Sequence, residues 1–122
     1  MTGFWRETWA CFHVPLNDEG AKEMEYLDYI DTPSPNIKEF AILESESDLL
    51  WPLYDAFNKA FDIIIDTAED ETMRKEDVPK ALEMAIAFKA QCSDEKTREV
   101  ASKLIEILQF ANEHHQMVEF WF

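Results

Sequence analysis

The sequence predicts an α+β domain: a small antiparallel sheet formed by N-terminal strands and a C-terminal strand, packed against about three α-helices. Three observations carry that expectation. Aromatic and β-branched residues crowd both ends of the chain, at residues 4–14 and 117–122. Between them, apolar residues recur at helical spacing in separate runs. No repeat, low-complexity tract or linker divides the 122 residues, so 1–122 is read as a single domain. A 47% hydrophobic and 13% aromatic content is rich enough to fold, because disordered chains are poor in both.

Residues 4–14 read as the first strand, closed by Pro15. Alternation puts Trp5, Glu7, Trp9, Cys11 and His13 on one face. Phe4, Arg6, Thr8, Ala10, Phe12 and Val14 lie on the other, and this second set suits a core better. Asn17-Asp18-Glu19-Gly20 is turn chemistry. Ala21-Lys22-Glu23-Met24-Glu25 favours helix, while Tyr26, Leu27, Tyr29 and Ile30 fit either a last helical turn or a short strand. Pro33 and Pro35 remove backbone donors and break the chain, and residues 37–44 read as the next strand.

The helical half follows. Asp48 or a neighbour is expected to cap a helix that carries Pro52 in its first turn. Leu53, Phe57, Ala60, Phe61 and Ile64 form its apolar stripe. Residues 68–77 read as a charged connector. Asp77 as cap, with Pro79 in the first turn, restarts a helix. From Ala81 to Phe88 only Glu83 is charged, which predicts a central helix covered by others. Ser93 is expected to cap the last helix, with Asp94 and Glu95 at the end where the dipole favours negative charge. Its stripe is Val100, Ala101, Leu104, Leu108 and Ala111, widened by Ile105. Ile107 and Phe110 add a second strip, so this helix should touch two layers. In the terminal strand, Val118, Phe120 and Phe122 face one way and Met117, Glu119 and Trp121 the other.

The 26 acidic residues outnumber the 11 Lys and Arg, for a net charge of −15. Residues 1–48 carry eleven acids and three bases, residues 49–77 eight and three, and residues 78–122 seven and five. The excess therefore sits in the first 77 residues. Such a chain repels phosphate backbones, so no direct nucleic-acid partner is expected. Two glycines cannot build a Gly-rich phosphate loop. No run approaches the length of a membrane span, and residues 1–7 do not form a secretory leader, so a cytoplasmic protein without a membrane partner is expected.

Motifs for chemistry are missing. Glu99, Glu106 and Glu113 recur every seven residues, but no histidine follows at the i+3 spacing of a di-metal bundle, and a solvated face is the reading. His114 and His115 are adjacent, so their side chains diverge on a helix, and a cationic role at the helix end is expected. Cys11 and Cys92 form no CxxC pair and read as reduced thiols. Cys11 shares a strand face with His13, but nothing orients a Cys-His nucleophile. The expectation is a protein that is not an enzyme, with no cofactor, metal or catalytic site.

What is left is the surface. Asp18, Glu19, Glu23, Glu25, Asp28, Asp31, Glu44, Glu46 and Asp48 form one acidic group. Asp66, Glu69, Asp70, Glu71, Glu76 and Asp77 form a second. Trp5, Trp9, Tyr26, Tyr29, Trp51, Tyr54 and Trp121 are more aromatic surface than a core this size must hold, and Tyr and Trp are common interface anchors. The second acidic group, with Trp51 and Tyr54 as an exposed aromatic pair, is the expected partner-binding site. The expected function is that of a small acidic binding protein, monomer or homodimer. It would capture a basic protein electrostatically: a toxin, a nuclease or another nucleic-acid-binding enzyme. Immunity proteins, antitoxins and nuclease inhibitors suit this size and charge, and carboxylates spaced like phosphates could compete for a DNA-binding groove. The alternative is an oligomerisation module pairing through its C-terminal strand. A metal-assisted enzyme with an acidic pocket comes third.

Overall fold

A computed structural model describes residues 8–26, 34–66 and 70–122 of the chain. The expectations for Trp5, Tyr29, Asp28, Asp31 and Glu69, and for the side chain of Tyr26, lie outside the described residues. The elements are strand β1 (Trp9–Pro15), helix α1 (Asp18–Tyr26), strand β2 (Ile37–Leu43), the one-turn helix α2 (Glu44–Ser47), a 3₁₀ turn (Asp48–Leu50), α3 (Trp51–Phe61), β3 (Glu71–Met73), α4 (Val78–Gln91), α5 (Glu95–His114) and β4 (Val118–Trp121).

The four strands form one antiparallel sheet in the order β2-β1-β4-β3. The expected α+β class, with the C-terminal strand joining the N-terminal ones, is what the chain adopts. Alternation divides the sheet as the sequence predicts. Ala10, Phe12, Val14, Ile42, Val118 and Phe120 are buried on one face. They meet Leu53, Tyr54 and Phe57 of α3 and the Val100, Ala101, Leu104, Leu108 and Ala111 stripe of α5 in one core. Rings of Phe12, Tyr54, Phe120 and Phe122 meet at edge or tilted angles, which suits their quadrupoles. Phe110 reaches edge-on to Phe40 of β2, so α5 touches both the sheet and α4, as its second apolar strip predicted.

Four local expectations are corrected. Asn17-Asp18-Glu19-Gly20 opens a helix: Asn17 Oδ1 accepts the Gly20 amide at 2.8 Å, which makes Asn17 the cap of α1. Gly20 is required there, since a Cβ would stand 2.1 Å from the Asn36 carbonyl oxygen. The connector at 68–77 holds the short edge strand β3, whose three residues are too few to show a period. Helix α4 is not central: Val78, Ala81 and Ala85 are buried, but Ile86 is half exposed and Ala87 exposed, because α4 lies outside α5 and α3. The caps also shift. Asp94, not Ser93, caps α5, accepting both the Thr97 amide at 2.8 Å and the Thr97 hydroxyl at 2.7 Å, and these bonds hold its carboxyl below the usual range. Asp77 stands at the start of α4 but turns to Arg74, and Asp48 accepts the Trp51 indole N–H instead of capping α3.

The pairing alternative is corrected as well. Strand β4 lies inside the sheet, with β1 on one side and β3 on the other. Both of its edges are occupied, so it has no free edge to offer a second chain.

Candidate protein-binding surface

The register of the sheet places Glu39 opposite His13, His13 opposite Glu119, and Glu119 opposite Thr72. This row crosses all four strands on the face away from the aromatic core. His13 is 3% exposed and bonds a carboxylate at each ring nitrogen: Nδ1 to Glu119 Oε1 at 3.1 Å and Nε2 to Glu39 Oε2 at 2.9 Å. Burial opposes a charge on His13, but the hydrogen bonds and the charges of Glu119 and Glu39 outweigh it and hold the imidazole above its ordinary pKa. Partial burial and the charge of Glu119 push Asp70 up, against the opposing pull of His13. Cys11, one step along β1, is pushed up by burial and by Glu39, so its thiolate is disfavoured. Both nitrogens of His13 are engaged by carboxylates, and the arrangement is a structural ion row rather than a nucleophile and its base.

The expected second acidic group is only partly a free surface. Asp70 and Glu76 are exposed. Glu71 is half-buried and accepts the Ile64 amide at 2.8 Å and the Thr72 amide at 2.9 Å, pinning the segment after α3 to β3. Asp77 pairs with Arg74 at 3.3 Å, and Asp66 is half-buried. Tyr54 is corrected: it is wholly buried and its hydroxyl shares a hydrogen bond with Ser47 at 2.8 Å, because its ring completes the aromatic core. Burial, and the nearby charge of Asp48, raise its pKa against the Ser47 bond. A side chain in that position cannot touch a partner.

The first acidic group behaves differently. Glu46 is buried and clamped by Lys96 at 2.7 Å and Lys103 at 2.8 Å, whose hydrogen bonds hold its carboxyl low. Asp18, Glu19, Glu25, Glu44 and Asp48 are exposed, as are Asp55 and Asp62 of the next segment, and none pairs with Lys or Arg among the described residues. Glu44 and Asp48 edge a concavity walled by Trp9, Ala10, Ser47, Trp51 and Phe122. Trp9 is 54% exposed, and Trp51 is fixed edge-on against Tyr54 with its ring centroid 5.2 Å away. Sequence reasoning named Trp9, Glu44, Asp48 and Trp51 without joining them. The joint comes from the Trp9–Leu43 register and from the Glu44 amide bonding the Thr8 carbonyl at 2.9 Å, neither of which leaves a motif.

His114 stacks on Phe110 at 4.2 Å with Nδ1 2.8 Å from the Phe110 carbonyl, and His115 takes the left-handed cap conformation. Among the described residues no group of three or more His, Cys, Asp or Glu is placed to hold a metal ion, and no helix is long and apolar enough to cross a membrane.

The arrangement is thus an acidic, aromatic-bearing exterior on an α+β frame. It shares its fold with a solved structure, the Neisseria DNA mimic protein DMP12. The two superpose with a TM-score of 0.53 over 93% of this chain and 99% of DMP12, at 21% sequence identity. At that identity the likeness concerns the fold. No protein-family model and no curated protein matches the chain.

Proposed function

We propose that this protein binds a basic, DNA-binding protein by offering carboxylates where that partner would otherwise hold phosphates, without itself catalysing a reaction. The observation that carries the reading is the set of exposed carboxylates from Asp18 to Asp62 that no Lys or Arg neutralises among the described residues. Unneutralised carboxylates keep their long-range field, and such a field steers a cationic partner. The fold likeness to a protein described as a DNA mimic supports the same direction. Among the basic partners expected from charge, it favours a nuclease or another nucleic-acid-binding protein over a toxin of other kinds. Asp70, Glu76 and Trp51 stay as contacts in this reading, beside Glu44 and Asp48.

The test is capture at low salt from a lysate of the source organism, elution by rising salt, and competition of the eluted basic protein with duplex DNA. Duplex DNA should displace the partner, and the association rate should fall steeply between about 50 and 500 mM salt. A partner that holds DNA and this protein together, or a rate unchanged across that range, overturns the reading.

A further inference from the structure

We infer that the concavity between Trp9 and Trp51 receives an arginine side chain of the basic partner, an inference that rests on the protein-binding reading above. The site is assembled from four parts of the chain: Trp9 of β1, Glu44 of α2, Asp48 of the 3₁₀ turn with Trp51 of α3, and Phe122 at the end of the sheet. Its free volume is about 100 Å³. For scale, a cavity of about 150 Å³ admits a benzene ring. The space is of the scale of a small planar group such as a guanidinium, and it is partly open to solvent, where the arm of such a side chain would lie.

The walls have the two features a guanidinium uses. Indole faces attract a cation through their quadrupole, and Trp does so more strongly than Tyr or Phe. Trp51 cannot swing away: it stands edge-on to Tyr54 and Phe122, and its Nε1–H is donated to Asp48 Oδ1 at 3.2 Å. The carboxylates of Glu44 and Asp48 each make one hydrogen bond, Glu44 Oε2 with the Thr8 hydroxyl and Asp48 Oδ1 with Trp51. Their other oxygens, Glu44 Oε1 and Asp48 Oδ2, have no partner among the described residues. Nearby Glu46 is excluded, since Lys96 and Lys103 already neutralise it. The charge of the pocket is therefore uncompensated only at its rim, where a long cationic side chain from outside would place its head. A planar fork that both stacks and bonds carboxylates fits better than an ammonium, so arginine is preferred to lysine.

The test uses the full chain and small blocked amino acids, so it does not depend on knowing the partner. N-acetyl-arginine amide, N-acetyl-lysine amide and the neutral isostere N-acetyl-citrulline amide are titrated while the indole N–H resonances are followed. The arginine probe should shift the Trp9 and Trp51 signals more than those of Trp5 and Trp121. It should bind more tightly than the lysine probe, and citrulline should leave the signals in place. Trp9→Ala and Asp48→Asn should each weaken the arginine probe by about threefold, with Glu83→Gln, exposed on α4, as an unaffected control. Equal shifts from arginine and citrulline, or unchanged binding in both variants, would overturn the site while leaving electrostatic capture of a partner to its own salt test. Probe binding with no salt-eluted DNA-binding partner would support the site and count against the protein-binding reading alone.

Discussion

Removing His13 should expose how the sheet carries a buried charge. His13 and Glu119 are both almost fully buried, while the Glu39 side chain is about two-thirds exposed. In His13→Leu, Glu119 loses its cation and keeps its burial, with the negative charges of Asp70 and Glu39 nearby. Breaking one partner of a buried ion pair costs about 3–5 kcal/mol, and the open Glu39 end places this case near the lower figure, about 3 kcal/mol. The double variant His13→Leu/Glu119→Leu removes both charges and should recover most of that loss, because an apolar pair of similar volume has nothing left to desolvate. The pH dependence has a definite sign. The folded-state pKa of His13 is raised above its ordinary 6.5, so the imidazolium stabilises fully below about pH 6.5. That contribution is lost as pH rises through the folded value. Urea unfolding followed by far-ultraviolet circular dichroism, from about pH 5.5 to 9, should show stability declining on the alkaline side in the native protein. The decline should vanish in His13→Leu. A cost below about 1 kcal/mol at the acid end, or the same alkaline decline in the variant, would refute the ion-row account.

Other consequences are direct. Gly20→Ala forces a Cβ against the Asn36 carbonyl and should cost about 1–3 kcal/mol by urea titration. Tyr54→Phe removes the bond to Ser47 and strands its hydroxyl, for a loss of about 1–2 kcal/mol, while the rate of partner binding should not change because the ring is buried. Deleting residues 117–122 removes an inner strand, so circular dichroism should show loss of cooperative unfolding rather than a folded monomer released from a dimer.

Much of the frame was legible because period and burial coincide. Phe12 and Val14 alternate with Cys11 and His13 along β1, and the apolar members lie inside. The α5 stripe at Val100, Ala101, Leu104, Leu108 and Ala111 is buried along its whole length, since a 3.6-residue repeat leaves one face to bury. Misreadings arose where composition stood in for neighbours. The apolar run of α4 suggests a covered helix, yet among the described residues no element covers Ile86, which is half exposed. Tyr54 reads as an exposed anchor beside Trp51, but the two stand three residues apart on one face of α3 with their rings in contact, and that face turns to the core, where Tyr54 is buried and Trp51 half-buried at the edge.

Charge and its uneven placement along the chain are properties of the sequence alone. So are the strand at each end and the helices between them, because local period and composition encode them. Which carboxylates stay free was settled only by the tertiary structure. Glu46 meets Lys103 across 57 positions and His13 meets Glu119 across 106, while Glu44 and Asp48 are left at the edge of an aromatic cleft. Pairing between distant residues depends on strand register and helix packing, and those are set by how the whole core closes rather than by any local stretch of chain.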